Sequence, residues 1–124
     1  MDRNSILILD DEYDIVDLIK LALEKERYSV TGFTEPLVAL EHFNINHVRY
    51  HLVISDLRMP VMNGFDFAEN IRQIKSDIKV LLMSAFTIEN DSDFIATSKS
   101  HNIDGFIQKP FSIKQLINTI ENHI

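Results

Sequence analysis

The chain of 124 residues carries 12 lysines and arginines against 19 aspartates and glutamates, which gives a formal net charge of −7. This length fits one domain with a single core, and the 45% share of hydrophobic residues excludes a disordered chain. The acidic balance argues against direct nucleic-acid binding, and the absence of cysteine excludes disulfide scaffolds, thiol catalysis and cysteine-bound zinc.

The first half of the chain alternates between strand and helix patterns. The apolar run 5–9 predicts a strand buried on both faces, and helical spacing of apolar residues predicts a helix from Asp11 to about Lys25. The β-rich stretch Tyr28–Phe33 predicts a second strand. Thr34 then has the character of an N-cap for a helix with Pro36 in its first turn. The predicted apolar faces are Ile15, Leu18, Ile19, Ala22 and Leu23 in the first helix and Leu37, Leu40 and Phe43 in the second.

The second half of the chain repeats this alternation. Short apolar runs again predict buried strands, and the segments between them have helical spacing. The predicted strands are His51–Ser55, Ile78–Met83 and Gly105–Gln108, and the predicted helices lie near Phe65–Ile74 and Ser92–Ser100.

A final helix follows the last strand. Ser112 and Gln115, three residues apart, form the pattern of a capping box at its start. Its predicted apolar face consists of Ile113, Leu116, Ile117 and Ile120.

Five strands alternating with five helices predict an α/β fold. Such alternation is typical of a parallel sheet with helices on both faces. Right-handed crossovers leave few topologies, and the flavodoxin-like strand order 2-1-3-4-5 is the common one for five strands. We expect a single domain over residues 1–124.

The sequence predicts neither membrane association nor export. No apolar run approaches the roughly 20 residues that span a bilayer. The segment Met1–Asn4 leads directly into a strand-like run, without the core of a signal peptide. We therefore expect a cytoplasmic protein whose negative charge favours divalent cations or basic partners.

Polar residues follow four of the predicted strands at their carboxyl ends. In an open α/β sheet, ligands bind outside these ends, next to the point where the strand order reverses. The topology therefore predicts that these side chains converge, although they are far apart in the chain. They are Asp10 and Asp11 after strand 1, Asp56 after strand 3, Ser84 after strand 4 and Lys109 after strand 5.

Grouped carboxylates of this kind suit a phosphoryl-transfer site. Packed like charges raise at least one pKa unless a cation is present, and carboxylate oxygens are suitable ligands for Mg²⁺. A carboxylate beside Mg²⁺ can attack phosphorus, while Lys109 and Ser84 offer a charge and a donor to the phosphoryl oxygens. Taken singly, Asp11 could be a helix cap, Ser84 a turn residue and Lys109 a solvated charge. Their predicted convergence favours the functional interpretation.

Four segments in this order and spacing resemble the receiver domain of two-component response regulators. The resemblance covers essentially the whole chain. The segments are the strand closed by Asp10-Asp11, the stretch from Val53 to Gly64 that contains Asp56, the step Met83-Ser84-Ala85, and Gln108-Lys109-Pro110-Phe111.

The resemblance implies a metal-dependent phospho-acceptor. Asp56 matches the residue that takes a phosphoryl group from a histidine kinase or phosphotransfer protein. Asp11 and Asp56 match direct ligands of Mg²⁺, for which Mn²⁺ is a possible substitute. Asp10 matches the residue that holds metal-bound water, and the main-chain carbonyl of Arg58 matches a further ligand. The only catalysis implied is of the domain's own phosphorylation and dephosphorylation.

The resemblance also implies a switch. Lys109 matches the lysine that pairs with the phosphate, Ser84 the hydroxyl drawn toward it, and Phe106 the aromatic whose rotamer reports the state. The surface of the fourth helix, fifth strand and fifth helix then changes and is presented to a downstream protein or effector domain. The Lys109–Pro110 bond is expected to be cis, although cis X–Pro bonds are only about 5–6% of the total.

Some positions depart from the commonest pattern or have two interpretations. Val61 replaces a common glycine in the loop after strand 3. Asn102 replaces a glycine at the end of the fourth helix, where asparagine is also suited to a left-handed C-cap. Tyr13 and Val16 lie at the rim of the first helix, where they either dock a kinase's helical hairpin or are buried in the domain.

Three other functions compete with the receiver hypothesis. A phosphohydrolase of the haloacid-dehalogenase type would need Asp-x-Asp after strand 1, whereas this chain has Asp10-Asp11-Glu12. A flavin-binding module would need a hydroxyl-rich phosphate cradle there, and these acids would repel phosphate. A degenerate receiver acting only as a scaffold would not need the complete set of site residues.

Overall fold

The computed structural model describes residues 5–85, 97 and 101–124. Apart from Thr97, the predicted helix over residues 92–100 lies outside this part of the chain. None of the described helices is long and apolar enough to cross a membrane. The strands are β1 (Ser5–Leu9), β2 (Ser29–Phe33), β3 (Tyr50–Asp56), β4 (Lys79–Ser84) and β5 (Gly105–Gln108). The helices are α1 (Tyr13–Lys25), α2 (Pro36–Asn46), α3 (Gly64–Ile74) and the C-terminal helix (Ile113–Glu121), with a 3₁₀ turn at His47–Arg49.

The five strands form one parallel sheet in the order β2-β1-β3-β4-β5. This confirms the predicted fold class and strand order. The register pairs Leu9 with Ser55 in the neighbouring strand, and Ser84 with Gln108. The carboxyl ends of β1, β3, β4 and β5 therefore meet along one edge of the sheet.

Two hydrophobic cores cover the two faces of this sheet. Successive residues of β1 point to opposite faces, so Leu7 belongs to one core and Ile8 to the other. Helices α2 and α3 cover the first core, to which they contribute Phe43 and Phe67. Helix α1 and the C-terminal helix cover the second core. Burial on both faces explains why β1 is a continuous apolar run.

The predicted helix faces were partly wrong. Leu18 is 46% exposed and Leu37 is 59% exposed, whereas Val16 and Ala39 are buried. Both helices carry apolar residues around much of their circumference, so periodicity alone could not select the buried stripe. Ile113, in the first turn of the C-terminal helix, is also exposed.

The helix ends give mixed outcomes. The N-cap of α2 is Glu35 rather than Thr34, and it makes no side-chain capping bond. Pro36 stands in the first turn as predicted, and its missing N–H removes a donor that would need a partner. The capping box of the C-terminal helix is confirmed, with the Gln115 N–H 3.1 Å from Oγ of Ser112.

One close contact determines how near α1 lies to the sheet. Val16 is buried against the backbone of Gly32 in β2, in the space that a Cβ atom at position 32 would occupy. A side chain at position 32 would therefore collide with Cγ1 of Val16. This contact holds the start of α1, and with it the loop that carries Asp11, close to the edge of the sheet.

Candidate functional site

The carboxyl edge of the sheet is held together by main-chain hydrogen bonds between strand ends. β3 ends at Asp56 and β4 ends at Ser84. The N–H of Leu57 donates to the carbonyl of Met83 at 2.9 Å, and the N–H of Lys109 donates to the carbonyl of Ser84 at 2.7 Å. These bonds fix the side chains that leave the edge relative to one another.

Three carboxylates converge at this edge. Asp10 is fully buried and Asp56 is 8% exposed, whereas Asp11 is exposed. One oxygen from each carboxylate lies within 4.8 Å of the other two. Within the described ranges, this is the one group of three side chains that could hold a metal ion. The predicted convergence of these three carboxylates is therefore confirmed.

Lys109 bridges two of these carboxylates. Its Nζ lies 2.7 Å from Oδ2 of Asp10 and 3.2 Å from Oδ1 of Asp56. The other oxygen of Asp10 accepts the main-chain N–H of Glu12 at 2.9 Å. Both oxygens of the buried Asp10 are thus hydrogen-bonded, as a buried charge requires.

The electrostatics of the cluster favour an additional cation. Burial raises the pKa of Asp56, the negative charge of Asp10 raises it further, and the ammonium of Lys109 opposes both effects. Burial alone would lower the pKa of Lys109, but its hydrogen bond and charge interaction with Asp10 outweigh this and the pKa is raised. Asp10 and Asp56 pair with the same lysine and Asp11 adds a third carboxylate, so this concentration of negative charge suits a divalent metal ion.

These side chains line a cleft of about 240 Å³. A larger cleft of about 560 Å³ lies beside α3, but no group of three potential metal ligands is found there among the described residues. The smaller cleft is therefore the candidate site. Its lining consists of Asp11, Glu12, Asp56, Leu57, Arg58, Met83, Ser84, Ala85 and Lys109.

The loop between β3 and α3 is tightly folded. The N–H of Gly64 donates to the carbonyl of Leu57 at 2.8 Å, and a Cβ atom on Gly64 would lie 2.6 Å from the carbonyl of Asp56. Asn63 caps α3 by accepting a hydrogen bond from the N–H of Asp66. These contacts hold the loop directly against the end of β3.

Val61, in the same loop, has an unusual backbone conformation. Its φ is 76°, which is costly for a β-branched residue, and its side chain is 80% exposed. Asn102 also has a positive φ, of 54°, which agrees with the left-handed cap predicted for it. The conformation at position 61 therefore suits the glycine that the resemblance led us to expect there.

Other predictions concern Phe106, the Lys109–Pro110 bond and two residues of α1. Phe106 is partly buried against the core on the α2 and α3 side, and the Lys109–Pro110 peptide bond is cis as predicted. Val16 is buried, which supports the structural alternative for it, whereas Tyr13 is 69% exposed.

The ion pair between Lys109 and Asp10 was not predicted from the sequence. Lys109 was expected to pair with the phosphate alone. The available signal was the position of Asp10 at the end of a fully apolar strand. A carboxylate placed there is buried and needs a cation.

The chain matches the response regulator receiver domain family over residues 6–121. The protein belongs to this family. It is 33% identical over 117 residues to the response regulator SaeR of Staphylococcus aureus, covering 94% of this chain and 49% of that protein. This receiver domain thus spans about half the length of the curated relatives it matches.

Solved structures agree with this assignment. A response regulator receiver domain protein from Clostridium thermocellum has a TM-score of 0.84 and 26% identity, covering 97% of this chain and 93% of that one. The chemotaxis protein CheY4 of Vibrio cholerae has a TM-score of 0.87 and 24% identity, covering 97% and 98% of the two chains. The first supports both family and fold, and the second supports the fold.

Membership of the family establishes the general role of the chain. Receiver domains accept a phosphoryl group in two-component signalling, and they generally bind Mg²⁺ at an acidic pocket. The cluster of Asp10, Asp11 and Asp56 fits such a pocket. This finding favours the receiver hypothesis over the hydrolase and flavin alternatives.

Proposed function

We propose that Asp56 is the residue of this chain that accepts the phosphoryl group. The observation that carries the proposal is the position of its carboxylate, at the end of β3, paired with Lys109 at 3.2 Å and inside the carboxylate cluster. A carboxylate oxygen of Asp56 attacks phosphorus, and an O–P bond forms. The N–P bond of the donor phosphohistidine breaks, and its electron pair leaves with the imidazole nitrogen.

The residues of the cluster divide the binding of Mg²⁺ between them. Asp10 already uses both carboxylate oxygens, on Glu12 and Lys109, so its best role is to hold metal-bound water. Asp11 and Asp56 would be the direct carboxylate ligands, and the main-chain carbonyl of Arg58 would be a further ligand. A bound Mg²⁺ or Mn²⁺ ion would supply positive charge that offsets the negative charge on the oxygens of the transferring group.

Lys109 and Ser84 sense the product. The ammonium of Lys109 is already beside Asp56 and pairs with the phosphoryl oxygens, while the buried hydroxyl of Ser84 is drawn toward a third oxygen. Movement of Ser84 leaves space that the ring of Phe106 fills. The surface of β5, the C-terminal helix and the helix predicted near residues 92–100 then changes shape, and that change is the output signal.

The proposed role implies two kinds of partner. A sensor histidine kinase or a phosphotransfer protein supplies the phosphoryl group, and a downstream protein or an attached effector domain takes up the output. Residues 1–124 then form one receiver domain that acts in the cytoplasm. Its catalysis is restricted to its own aspartyl phosphate, without turnover of external substrates and without direct contact with nucleic acid or membrane.

Labelling with a small phosphodonor tests this function. Incubation with Mg²⁺ and acetyl phosphate should add the mass of one phosphoryl group, and beryllofluoride should bind in its place. Asp56→Asn should abolish the adduct, whereas the control Asp17→Asn, an exposed carboxylate of α1, should not. Turnover of an external phosphoester, or labelling that survives in Asp56→Asn, would contradict the proposal.

A further inference from the structure

A hydrogen-bonded histidine outside the carboxylate cluster joins α2 to the sheet. Nε2 of His42 lies 2.6 Å from the phenol oxygen of Tyr50, the first residue of β3. Nδ1 lies 3.3 Å from the amide nitrogen of Asn46, which also donates to the His42 carbonyl at 3.0 Å. The imidazole also packs on Phe33 of β2, with ring centroids 5.0 Å apart.

This network can be satisfied only by a neutral imidazole. The amide nitrogen of Asn46 carries only hydrogens, so Nδ1 must accept, and Nε2 then donates its hydrogen to Tyr50. A second proton on Nδ1 would point at the amide hydrogens. Turning the Asn46 amide would place its oxygen against the His42 carbonyl and lose that bond. Protonation therefore breaks at least one hydrogen bond of the network.

The surroundings of His42 also disfavour its protonation. The 3₁₀ turn contributes the guanidinium of Arg49, β3 contributes the phenol of Tyr50, and β2 contributes the apolar ring of Phe33. After α3, the ammonium of Lys75 binds the main-chain carbonyl of Tyr50 at 2.6 Å. Burial lowers the pKa of His42, and the charge of Arg49 lowers it further.

Helix α2 has little local support of its own. Its N-cap makes no side-chain hydrogen bond, its first turn has no acidic residue and its last turn has no basic residue. Helices of this length depend on packing rather than on intrinsic propensity. Loss of the contact between His42 and Tyr50 should therefore affect α2 more than the other helices.

We propose that His42 is an acid-sensitive anchor that holds α2 against β3 at neutral pH and releases it when the imidazole is protonated. The proposal is independent of the phospho-acceptor function. We expect release of α2 below pH 6.5, the ordinary pKa of histidine, because His42 binds a proton in the opened segment that the closed segment excludes. One pH unit below that value, protonation raises the equilibrium constant for opening by at most about tenfold.

Hydrogen exchange on the full chain tests the anchor. We expect exchange of residues 36–46, corrected for the intrinsic effect of pH, to rise up to about tenfold between pH 7.5 and 5.5. Exchange in α3, residues 64–74, should change less than twofold. In His42→Gln the pH-dependent rise in residues 36–46 should disappear, whereas the control His47→Gln should keep it. An equal rise in wild type and His42→Gln would overturn the proposal.

A second variant keeps the test decisive if His42→Gln does not fold. Asn46→Asp places a carboxylate beside Nδ1 and stabilises the imidazolium, so α2 should become less sensitive to acid than in wild type. Titration followed by NMR should show His42 gaining its proton below pH 6.5 in the folded wild type. Titration of His42 at or above pH 6.5 in the folded wild type would contradict the proposal.

Discussion

Lys109 and Asp10, which are 99 positions apart in the chain, form an ion pair of 2.7 Å beneath the acidic cleft. The pair spans the sheet from the end of β5 to the end of β1. Asp10 is fully buried, so its charge depends on this lysine for compensation. The lysine thus stabilises the cluster before any phosphoryl group arrives.

Removal of the ammonium should destabilise the fold. In Lys109→Met, the buried carboxylate of Asp10 loses its partner, and we expect the free energy of unfolding to fall by roughly 2–3 kcal/mol. Urea denaturation at pH 7.5 without Mg²⁺ measures this loss. The control Lys114→Met, an exposed residue of the C-terminal helix, should change stability little. A similar loss in both variants would count against the ion pair.

Asp56→Asn should increase stability at neutral pH in the absence of metal. The pKa of Asp56 is raised in the folded state, chiefly by burial, so the folded protein binds a proton where the unfolded chain has already lost it. The contribution of Asp56 to wild-type stability therefore falls as the pH rises from the ordinary carboxyl pKa, 3.8, through the raised pKa. The advantage of Asp56→Asn should shrink as the pH is lowered through the same range. Urea denaturation from pH 4 to 7.5 measures it, and a variant less stable than wild type at pH 7.5 would refute it.

Mg²⁺ should stabilise the wild-type protein. A ligand that binds only the folded state contributes about 2.7 kcal/mol when its concentration is one hundred times its Kd. Thermal unfolding across a Mg²⁺ series should therefore show a rising midpoint in wild type. Asp11→Asn, which removes an exposed carboxylate from the cluster, should flatten this dependence. An equal rise in Asp11→Asn would place the metal elsewhere.

Val61→Gly should stabilise the domain. A non-glycine residue in the left-handed region costs on the order of 1–3 kcal/mol, and the exposed side chain has few contacts to lose. Greater freedom of glycine in the unfolded chain offsets part of the gain, so we expect a net increase of about 1 kcal/mol in urea denaturation. Val48→Gly, at an exposed valine without a positive φ, should give no increase. Loss of stability in Val61→Gly would contradict this account.

Much of the fold could be predicted because the relevant signals are local and repeated. Continuous apolar runs such as β1 indicate strands buried on both faces, and their alternation with helices predicts a parallel sheet. The strand ends then place Asp56, Ser84 and Lys109 at one edge without any knowledge of side-chain contacts. The predicted cluster therefore required only the topology and the residues that follow each strand.

The errors concern features that depend on packing between distant segments. Leu37 has the periodicity of a buried residue but is exposed, whereas Ala39 is fully buried in the core. The pair Lys109–Asp10 joins strand ends 99 positions apart, and His42–Tyr50 joins α2 to β3 over eight positions. Hydrophobic periodicity does not specify the partner in either pair. Such contacts follow from three-dimensional proximity, which a pattern of hydrophobicity does not specify.

The contact between Gly32 and Val16 has an evolutionary consequence. A lineage that gains a side chain at position 32 must shorten residue 16 or tilt α1 away from β2, and a tilt would displace Asp11 from the cluster. Substitutions at these two positions are therefore expected to occur together as the sequence diverges. The absence of a side chain at position 32 thus determines how closely α1 can approach the sheet beside the acidic cleft.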